Sequence, residues 1–317
     1  MSPRDALVFL LLAAIWGGSF LFLRLTAPAL GPLAVAALRT TGAALVLLPL
    51  VLWQGQWRAL QPVWRTVLVS AMLSCVLPFM GLSWAAQHLP AGPLSVLNAT
   101  APMWSALLAW AWRGESLGRA KALGLSLGFG GVMWLALHRG ADAASLDPLA
   151  VAVALGSTLM YALAVDHSKR HLPGLPPIAL SAALMVCTAA ALLGPALWWG
   201  PQATLPSPTG SPMPGSAWAE VSLGVWAALA ALATLCTGLA YVMFYGLIER
   251  IGPSTALNVV FLIPPFGMLW GWLWLDEAIT LDMLLSAGVI VLGTFLASRA
   301  PVSAGALKRP GASTAEH

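Results

Sequence analysis

Long apolar stretches, each about the length of a membrane-spanning helix, dominate the sequence. Cutting it where charged residues, proline and glycine cluster leaves ten segments close to the ~20 residues that a helix needs to cross a hydrocarbon core. They span residues 6–26, 32–52, 66–86, 93–112, 120–138, 148–167, 178–199, 221–247, 254–274 and 282–299. The alternating polarity of β-barrel strands is absent from runs such as Leu123 to Leu137. The sequence therefore predicts an all-α polytopic membrane protein with ten transmembrane helices.

The composition excludes a water-soluble globular protein and argues against several kinds of partner. Apolar residues make up 59% of the 317 residues and charged residues 8%, against about 25% charged residues in soluble domains. The lysines and arginines are scattered between apolar runs, so no nucleic-acid partner is expected. Cys75, Cys187 and Cys236 lack metal-ligand spacing, so we expect no metal, no cofactor and no disulfide framework. The expected partners are the lipid bilayer and a small-molecule substrate.

The distribution of basic residues predicts the topology. With the N-terminus inside, 12 of the 15 lysines and arginines fall on the cytoplasmic side. The first apolar run continues to Arg24 without a cleavage site, which favours a first transmembrane helix over a signal peptide. The proline-rich connection 200–220 is then predicted outside. The tail 300–317 is predicted to be cytoplasmic and disordered.

An internal repeat divides the chain into two halves. Gly92-Pro93 and Leu97-Asn98 match Gly252-Pro253 and Leu257-Asn258 at an offset of 160. At an offset of 162, Pro102, Trp110, Trp112, Glu115 and Gly131 match Pro264, Trp272, Trp274, Glu277 and Gly293. Residues 5–138 and 148–299 are therefore predicted to be five-helix repeats. Because five is odd, the second repeat would be inverted, which provides the two alternative packings of an alternating-access carrier.

These residues also carry a family resemblance. The stretch from Ala14 to Phe20, the run Ala37-Leu38-Arg39 and the two Pro…Glu…Gly blocks resemble an EamA-type member of the drug/metabolite transporter superfamily. The resemblance implies two inverted five-helix repeats, a central cavity, and export of amino acids or related small metabolites across a bacterial inner membrane. At an offset of 141, Leu180 stands where Arg39 stands in the first half, so this arginine has no counterpart.

Arg39 is the most informative polar residue, because it lies inside the second apolar segment. A cation within a span costs ~3 kcal/mol or more, so it must face protein, water or an anion. Arg39 lies roughly 10 Å from the outer start of its helix. It is either a subsite for a substrate carboxylate or another anion, or a structural arginine that binds backbone carbonyls at a broken helix.

Asparagine and proline recur at matching positions of the fourth and ninth segments. Asn98 and Asn258 should each find a partner across helices or line a wet cavity, because an unsatisfied amide is costly in hydrocarbon. Pro102 and Pro264 each remove a backbone donor and free the carbonyl four residues earlier. We expect a kink in each helix, which either acts as a hinge or only shapes the bundle.

Glu115 and Glu277 follow these two helices, and inversion places Glu115 inside and Glu277 outside. Each precedes a new helix start, where a carboxylate complements the helix dipole. Each is either a structural residue that caps a helix or pairs in a loop, for example with Arg119, or part of a gate.

Deep aromatic residues complete the predicted cavity. Tyr241 and Tyr245 are four residues apart and share a helical face, and Trp16 and Tyr161 also lie deep in their segments. Such a lining suits an organic substrate with an apolar side chain, while core packing is the alternative. The predicted substrate-binding residues are Trp16, Ser19, Arg39, Asn98, Tyr161, Tyr241, Tyr245 and Asn258.

The favoured function is secondary transport, and the favoured form of it is export of a small metabolite. One alternative is an intramembrane enzyme acting on lipid-like substrates, but the sequence has no clustered aspartates, HExxH helix or serine–histidine pair for such chemistry. The other alternative is a passive channel or facilitator. Apart from Asp282, the first residue of its segment, Asp166 is the one carboxylate within a predicted span. It lies near the cytoplasmic end of that span, which favours a solvated terminus over a proton relay.

The topology is testable by cysteine labelling. Gly210→Cys should react with a membrane-impermeant maleimide from outside intact cells, and Ser303→Cys only after the membrane is opened. Labelling of both positions from the same side would contradict the predicted topology.

Overall fold

The computed structural model describes residues 1–115, 117–137, 146–201 and 218–299, without the side chains of Pro253, Ser254 and Arg299. Three parts of the predicted organisation lie outside the described residues. They are His138 at the end of the first repeat, the connection around Gly210, and the tail 300–317.

The described residues form helices and no strand, as predicted for an all-α protein. The helices are α1 (Pro3–Trp53), α2 (Trp64–Ala71), α3 (Leu77–Ala85), α4 (Ala91–Asn98), α5 (Ala101–Arg113), α6 (Arg119–Leu137), α7 (Pro148–His171), α8 (Pro177–Trp199), α9 (Leu223–Ala233), α10 (Ala240–Ile251), α11 (Pro253–Leu257), α12 (Ile263–Leu275) and α13 (Leu281–Arg299). Short 3₁₀ helices lie at Gln56–Val63, Trp218–Glu220 and Asn258–Leu262, and π-helical turns lie at Met72–Val76 and Thr234–Leu239. Within this part of the chain, eight helical stretches are long and apolar enough to cross a membrane.

The first helix is 51 residues long and folds back on itself at Gly31. Gly31 has a φ of 78° and a ψ of 162°, a conformation that glycine adopts readily and other residues do not. Along a straight helix, Ile15 and Arg39 would be about 36 Å apart. They instead bind the neighbouring residues Cys236 and Thr237. The two legs of α1 therefore lie side by side, and they contain the first two predicted segments.

The predicted fourth segment is interrupted at Ala99 and Thr100, between α4 and α5. At this break, polar side chains from other helices form hydrogen bonds with the Ala99 carbonyl and the Thr100 hydroxyl. The Thr294 hydroxyl donates to the Ala99 carbonyl (3.3 Å), and the hydroxyls of Thr100 and Thr158 are 3.1 Å apart. The two legs of α1 and the short lengths of α4 and α5 account for the difference between eight stretches and ten predicted segments.

Close backbone contact joins α6 to α13. A Cβ atom added to Gly293 would lie 2.5 Å from the Gly128 nitrogen and 2.6 Å from the Gly124 carbonyl oxygen. No side chain larger than hydrogen fits there without moving one of the helices. Small residues at such crossings allow helices to associate where burial of apolar surface gives no advantage over lipid.

Two structural features recur at the sequence offset of 162. The π-helical turns begin at Met72 and Thr234. Helices α5 and α12 both end on a residue with left-handed backbone, Gly114 (φ 63°) and Asp276 (φ 52°). The N–H groups of Glu115 and Glu277 then bond the carbonyls six residues earlier, Ala109 at 3.3 Å and Gly271 at 3.2 Å.

One of these two helix ends has aspartate where the other has glycine, and this difference generates a prediction. Asp276 adopts a left-handed conformation that costs a non-glycine residue about 1 kcal/mol, and its counterpart is Gly114. We expect Asp276→Gly to stabilise the protein by up to ~1 kcal/mol and Gly114→Ala to destabilise it by a similar amount. Thermal unfolding of the purified protein in detergent measures both. Equal melting temperatures for Gly114→Ala and the unsubstituted chain would contradict the argument.

Candidate functional site

The guanidinium of Arg39 is buried in the middle of the bundle. Arg39 lies on the second leg of α1 and is 8% exposed. Its Nε donates to the Thr237 hydroxyl oxygen at 2.9 Å, and its guanidinium carbon lies 4.0 Å from the centre of the Phe79 ring. An aromatic face and a hydroxyl attract a cation, but neither neutralises it.

Arg39 has no carboxylate partner among the described residues, whose ion pairs all involve other cations. Its hydrogen bond goes to a side-chain hydroxyl in a π-helical turn and not to a backbone carbonyl. Cys75 belongs to the same apolar cluster as Phe79, against which Tyr161 and Tyr241 pack. A buried positive charge with only neutral neighbours attracts an anion.

The irregular turn at Thr234–Leu239 connects Arg39 to the first leg of α1. The Thr237 hydroxyl donates to the Leu232 carbonyl at 2.8 Å while it accepts from Arg39. The neighbouring Cys236 thiol donates to the Ile15 carbonyl at 3.1 Å. Ser19, predicted to share a cavity with Arg39, is buried one helical turn after Ile15 on the first leg of α1.

The predicted aromatic residues surround this turn and are half-buried. Tyr161 and Tyr241 pack against the apolar cluster that contains Phe79. The rings of Tyr241 and Tyr245 are stacked with centres 6.1 Å apart, as expected for two residues on one helical face. The Tyr245 hydroxyl bonds that of Ser181 at 2.6 Å.

Trp16 and Tyr161 occupy interior positions. Trp16 lies 5.2 Å from the Phe244 ring and packs against two of the apolar clusters, and Tyr161 likewise joins two clusters. Each of the two side chains keeps part of its surface exposed.

The two predicted asparagines do not join this group through any described hydrogen bond. Asn98 is half-buried at the end of α4, whereas Asn258 is exposed at the start of a 3₁₀ turn. Pro102 and Pro264 lie in the first turns of α5 and α12, where proline is favoured because its missing N–H has no helical partner. Each of the two helices is thus irregular just before its proline.

Glu115 and Glu277 have different partners. Glu115 pairs with Arg113 (2.9 Å) and Lys121 (3.3 Å) and not with Arg119, the example chosen from the sequence. Burial raises the pKa of the Glu115 carboxyl, but these two cations outweigh burial and leave that pKa below its ordinary value. Both carboxylate oxygens of Glu277 accept from the one backbone N–H of Ala91 at the start of α4, at 2.9 and 3.0 Å. Glu277 therefore caps α4, a helix that is distant from it in sequence.

Asp166 is neutralised by two arginines, Arg113 at 2.7 Å and Arg170 at 2.8 Å. Its ion pairs lie at the end of α7, as expected for a terminus and not for a proton relay within the span. In the part of the chain that the structure describes, no group of histidine, cysteine and acidic side chains is arranged to hold a metal ion.

A separate groove of about 490 Å³ runs between α12 and α13. Its lining is apolar and includes Phe261, Pro264, Met268 and Leu284. Arg39 and the tyrosines lie elsewhere. This groove therefore offers no group that recognises a polar or charged substrate.

Comparison with known proteins identifies the family. The EamA-like transporter family matches residues 4–137 and again residues 148–299. The chain belongs to the EamA-like transporter family. Family membership makes it a transmembrane transporter, as the sequence resemblance implied.

Individual relatives of this EamA-family chain are also named as transporters. The uncharacterized transporter YvbV of Bacillus subtilis (strain 168) is 26% identical over 292 residues, which cover 92% of this chain and 90% of that protein. A probable terminal-alkyne amino-acid exporter of Streptantibioticus cattleyicolor is 24% identical over 218 residues, 69% of this chain and 67% of that protein. A solved structure described only as the crystal structure of a protein has a TM-score of 0.62 at 19% identity, over 94% of this chain and 97% of that one, and so shares the fold.

Sequence reasoning missed Thr237 and Phe79, the direct partners of Arg39 in this EamA-family chain. Thr237 lies at the offset of 162 from Cys75, in the second of the two π-helical turns. Short π-helical turns within α-helices are frequent at functional sites, but no residue pattern in the sequence announces them. The signal available in the sequence was the hydroxyl side chain of Thr237, which lies inside an apolar segment at a position that the repeat relates to Cys75.

The Arg39–Thr237 bond can be tested by removing its acceptor. Thr237→Val keeps the side-chain shape but leaves a buried Nε–H unpaired, so we expect a loss of about 1–3 kcal/mol of stability. Thr234→Val is the matched control, because its exposed hydroxyl bonds only the Ala230 carbonyl. Melting temperatures in detergent compare the two. Equal melting temperatures would show that Thr237 does not stabilise the buried cation.

Proposed function

We propose that this protein is a secondary carrier that exports amino acids or related small metabolites across a bacterial inner membrane by alternating access. The observation that carries the proposal is the buried Arg39 cation, held by Thr237 and Phe79 and beside half-buried tyrosines. The name of the amino-acid exporter from Streptantibioticus supports the same class of substrate.

The proposed architecture is ten membrane crossings in two inverted five-helix repeats, residues 5–138 and 148–299. The double match to the family supports this division. So do the recurring π-helical turns and the recurring left-handed ends of α5 and α12. The fold-back of α1 at Gly31 and the broken helix formed by α4 and α5 supply the two crossings beyond the eight long stretches.

The proposed orientation places both termini in the cytoplasm. Its support is the excess of lysine and arginine at one set of helix ends. The Asp5–Arg250 ion pair (2.7 Å) links the start of α1 to the end of α10, both of which are cytoplasmic in this orientation.

In the proposed binding site, Arg39 binds the carboxylate of the substrate and the aromatic residues contact its side chain. Guanidinium and carboxylate form paired hydrogen bonds in one plane, which a lysine does not reproduce. Trp16, Ser19, Asn98, Tyr161, Tyr241, Tyr245 and Asn258 complete the proposed lining. Pro102 and Pro264 are proposed hinges, because each begins a helix next to a break.

Substrate counterflow in proteoliposomes tests the carrier mechanism. A carrier loaded with unlabelled substrate accumulates labelled substrate transiently against its gradient, and a channel does not. The family and the named relatives indicate a transporter and not an enzyme. Absence of counterflow over a panel of amino acids and related metabolites would overturn the proposal.

Arg39 variants test the substrate class. One charge-assisted hydrogen bond is worth roughly 1.5–3 kcal/mol, which corresponds to about ten- to a hundredfold in affinity. We expect Arg39→Lys to transport more weakly than the unsubstituted chain, and Arg39→Gln to lose its preference for an amino acid over the corresponding amide. Counterflow of both substrates is measured beside the melting temperature. An unchanged preference in folded Arg39→Gln would refute the anion site.

Two further substitutions test the rest of the lining. Tyr241→Ala and Asn98→Ala should both slow counterflow, because each removes surface beside the proposed substrate. Normal expression and melting behaviour are the controls. Wild-type rates for both variants would remove these residues from the site.

A further inference from the structure

Glu277 joins two distant parts of the chain at one end of the bundle. Its carboxylate accepts from the backbone N–H of Ala91 at 2.9 and 3.0 Å and from that of Gly92 at 3.4 Å, and it lies 3.5 Å from Arg24 Nε. Gly92 is followed by Pro93, which has no N–H. The N-cap residue of α4 is Pro90, whose side chain cannot accept a hydrogen bond. Glu277 is therefore the acceptor for the free N–H groups in the first turn of α4.

The helices behind this contact are packed without a gap. A Cβ added to Gly271 of α12 would lie 3.4 Å from the Ala91 Cβ and 2.5 Å from a Glu277 carboxylate oxygen. Ser95 and Leu97 of α4 are fully buried. Arg24 also donates to the Ala86 carbonyl (2.9 Å), which ties the turn before α4 to the first leg of α1. This end of the bundle, the Glu277 end, is closed.

The repeat-related residues at the other end have different surroundings. Helices α4 and α5 lead from the Glu277 end to Glu115, and Glu115 binds the nearby Arg113 and Lys121 instead of a distant helix. Leu257 of α11, the counterpart of Leu97, is 54% exposed. Thr255, the counterpart of Ser95, is exposed as well. Residues at matching positions of the two repeats are thus buried at the Glu277 end and exposed at the opposite end, the α11 end.

We propose that Glu277 is the latch that holds the bundle closed at its own end while the α11 end is open. Release of the carboxylate from Ala91 and Gly92 separates α4 from α12 and exposes the Glu277 end. This inference rests on the proposed alternating-access function. Its direct test is a conformational measurement that needs no substrate.

Accessibility of paired cysteines reports the state of each end. Leu97→Cys and Leu257→Cys, made separately, are reacted with a water-soluble maleimide in detergent, and the reaction of the unsubstituted chain is subtracted. The native thiols of Cys75 and Cys236 are buried and that of Cys187 is half-buried. With Glu277 intact, we expect Leu257→Cys to react and Leu97→Cys to be protected. A protected Leu257→Cys would overturn the assignment of the open end.

Glu277→Gln should raise the labelling rate of Leu97→Cys by about tenfold, because the neutral amide binds the α4 N-terminus and Arg24 less well. Gly271→Ala should act in the same direction, because its methyl group displaces the carboxylate while the charge is kept. Glu220→Gln is the matched control, since Glu220 is an exposed glutamate outside the contact. It should leave both rates unchanged.

Protection of Leu97→Cys in folded Glu277→Gln protein would overturn the latch, and so would an equal effect of Glu220→Gln. If Glu277→Gln and Gly271→Ala both fail to fold, Glu277 is a purely structural cap and the proposal is wrong. If labelling responds as expected but no substrate shows counterflow, the latch stands and the carrier function fails.

Discussion

Hydrocarbon offers no hydrogen-bonding partner, and several irregular features of this protein conform to that constraint. At three places where a helix breaks, loosens or begins, a side chain bonds a backbone group that is set free. Thr294 donates to the carbonyl at the break between α4 and α5, and Thr237 donates to the Leu232 carbonyl in a π-helical turn. Glu277 accepts from the unpaired N–H groups of α4. In two of these cases, Thr294 and Glu277, the side chain comes from a part of the chain distant in sequence.

Arg39 is less completely paired than these groups. Its cation is held by a hydroxyl and an aromatic ring and has no carboxylate partner among the described residues. Such a charge lowers the stability of the empty protein, because its desolvation is only partly offset. In the proposed function, an anionic group of the substrate supplies the charge compensation that the protein omits at Arg39.

The two ends of the bundle show how a repeated sequence adopts two environments. At the Glu277 end, the Glu277 carboxylate makes a close contact with α4, and Gly271 of α12 lies against Ala91. At the α11 end, Leu257 and Asn258 lie uncovered. Two packings of similar energy built from one repeated unit are what an alternating-access carrier requires, because each packing opens a different end.

The sequence by itself determined the class of structure. Apolar segments of one span length require helices in a bilayer, and most predicted segments agree with the observed helices within a few residues, as in 178–199 against Pro177–Trp199. The irregular helices containing Pro102 and Pro264 were also evident, because proline cannot donate a backbone hydrogen bond. So was the pairing of Tyr241 with Tyr245, which depends only on helical spacing.

Tertiary structure decided which distant residues meet. Arg39 is separated from Thr237 by 198 positions, and Glu277 from Ala91 by 186, so no local pattern relates them. Asn98 and Asn258 each follow a leucine and lie five residues after a proline, yet one is half-buried and the other exposed. Only the folded chain determines which end of a repeated structure is covered.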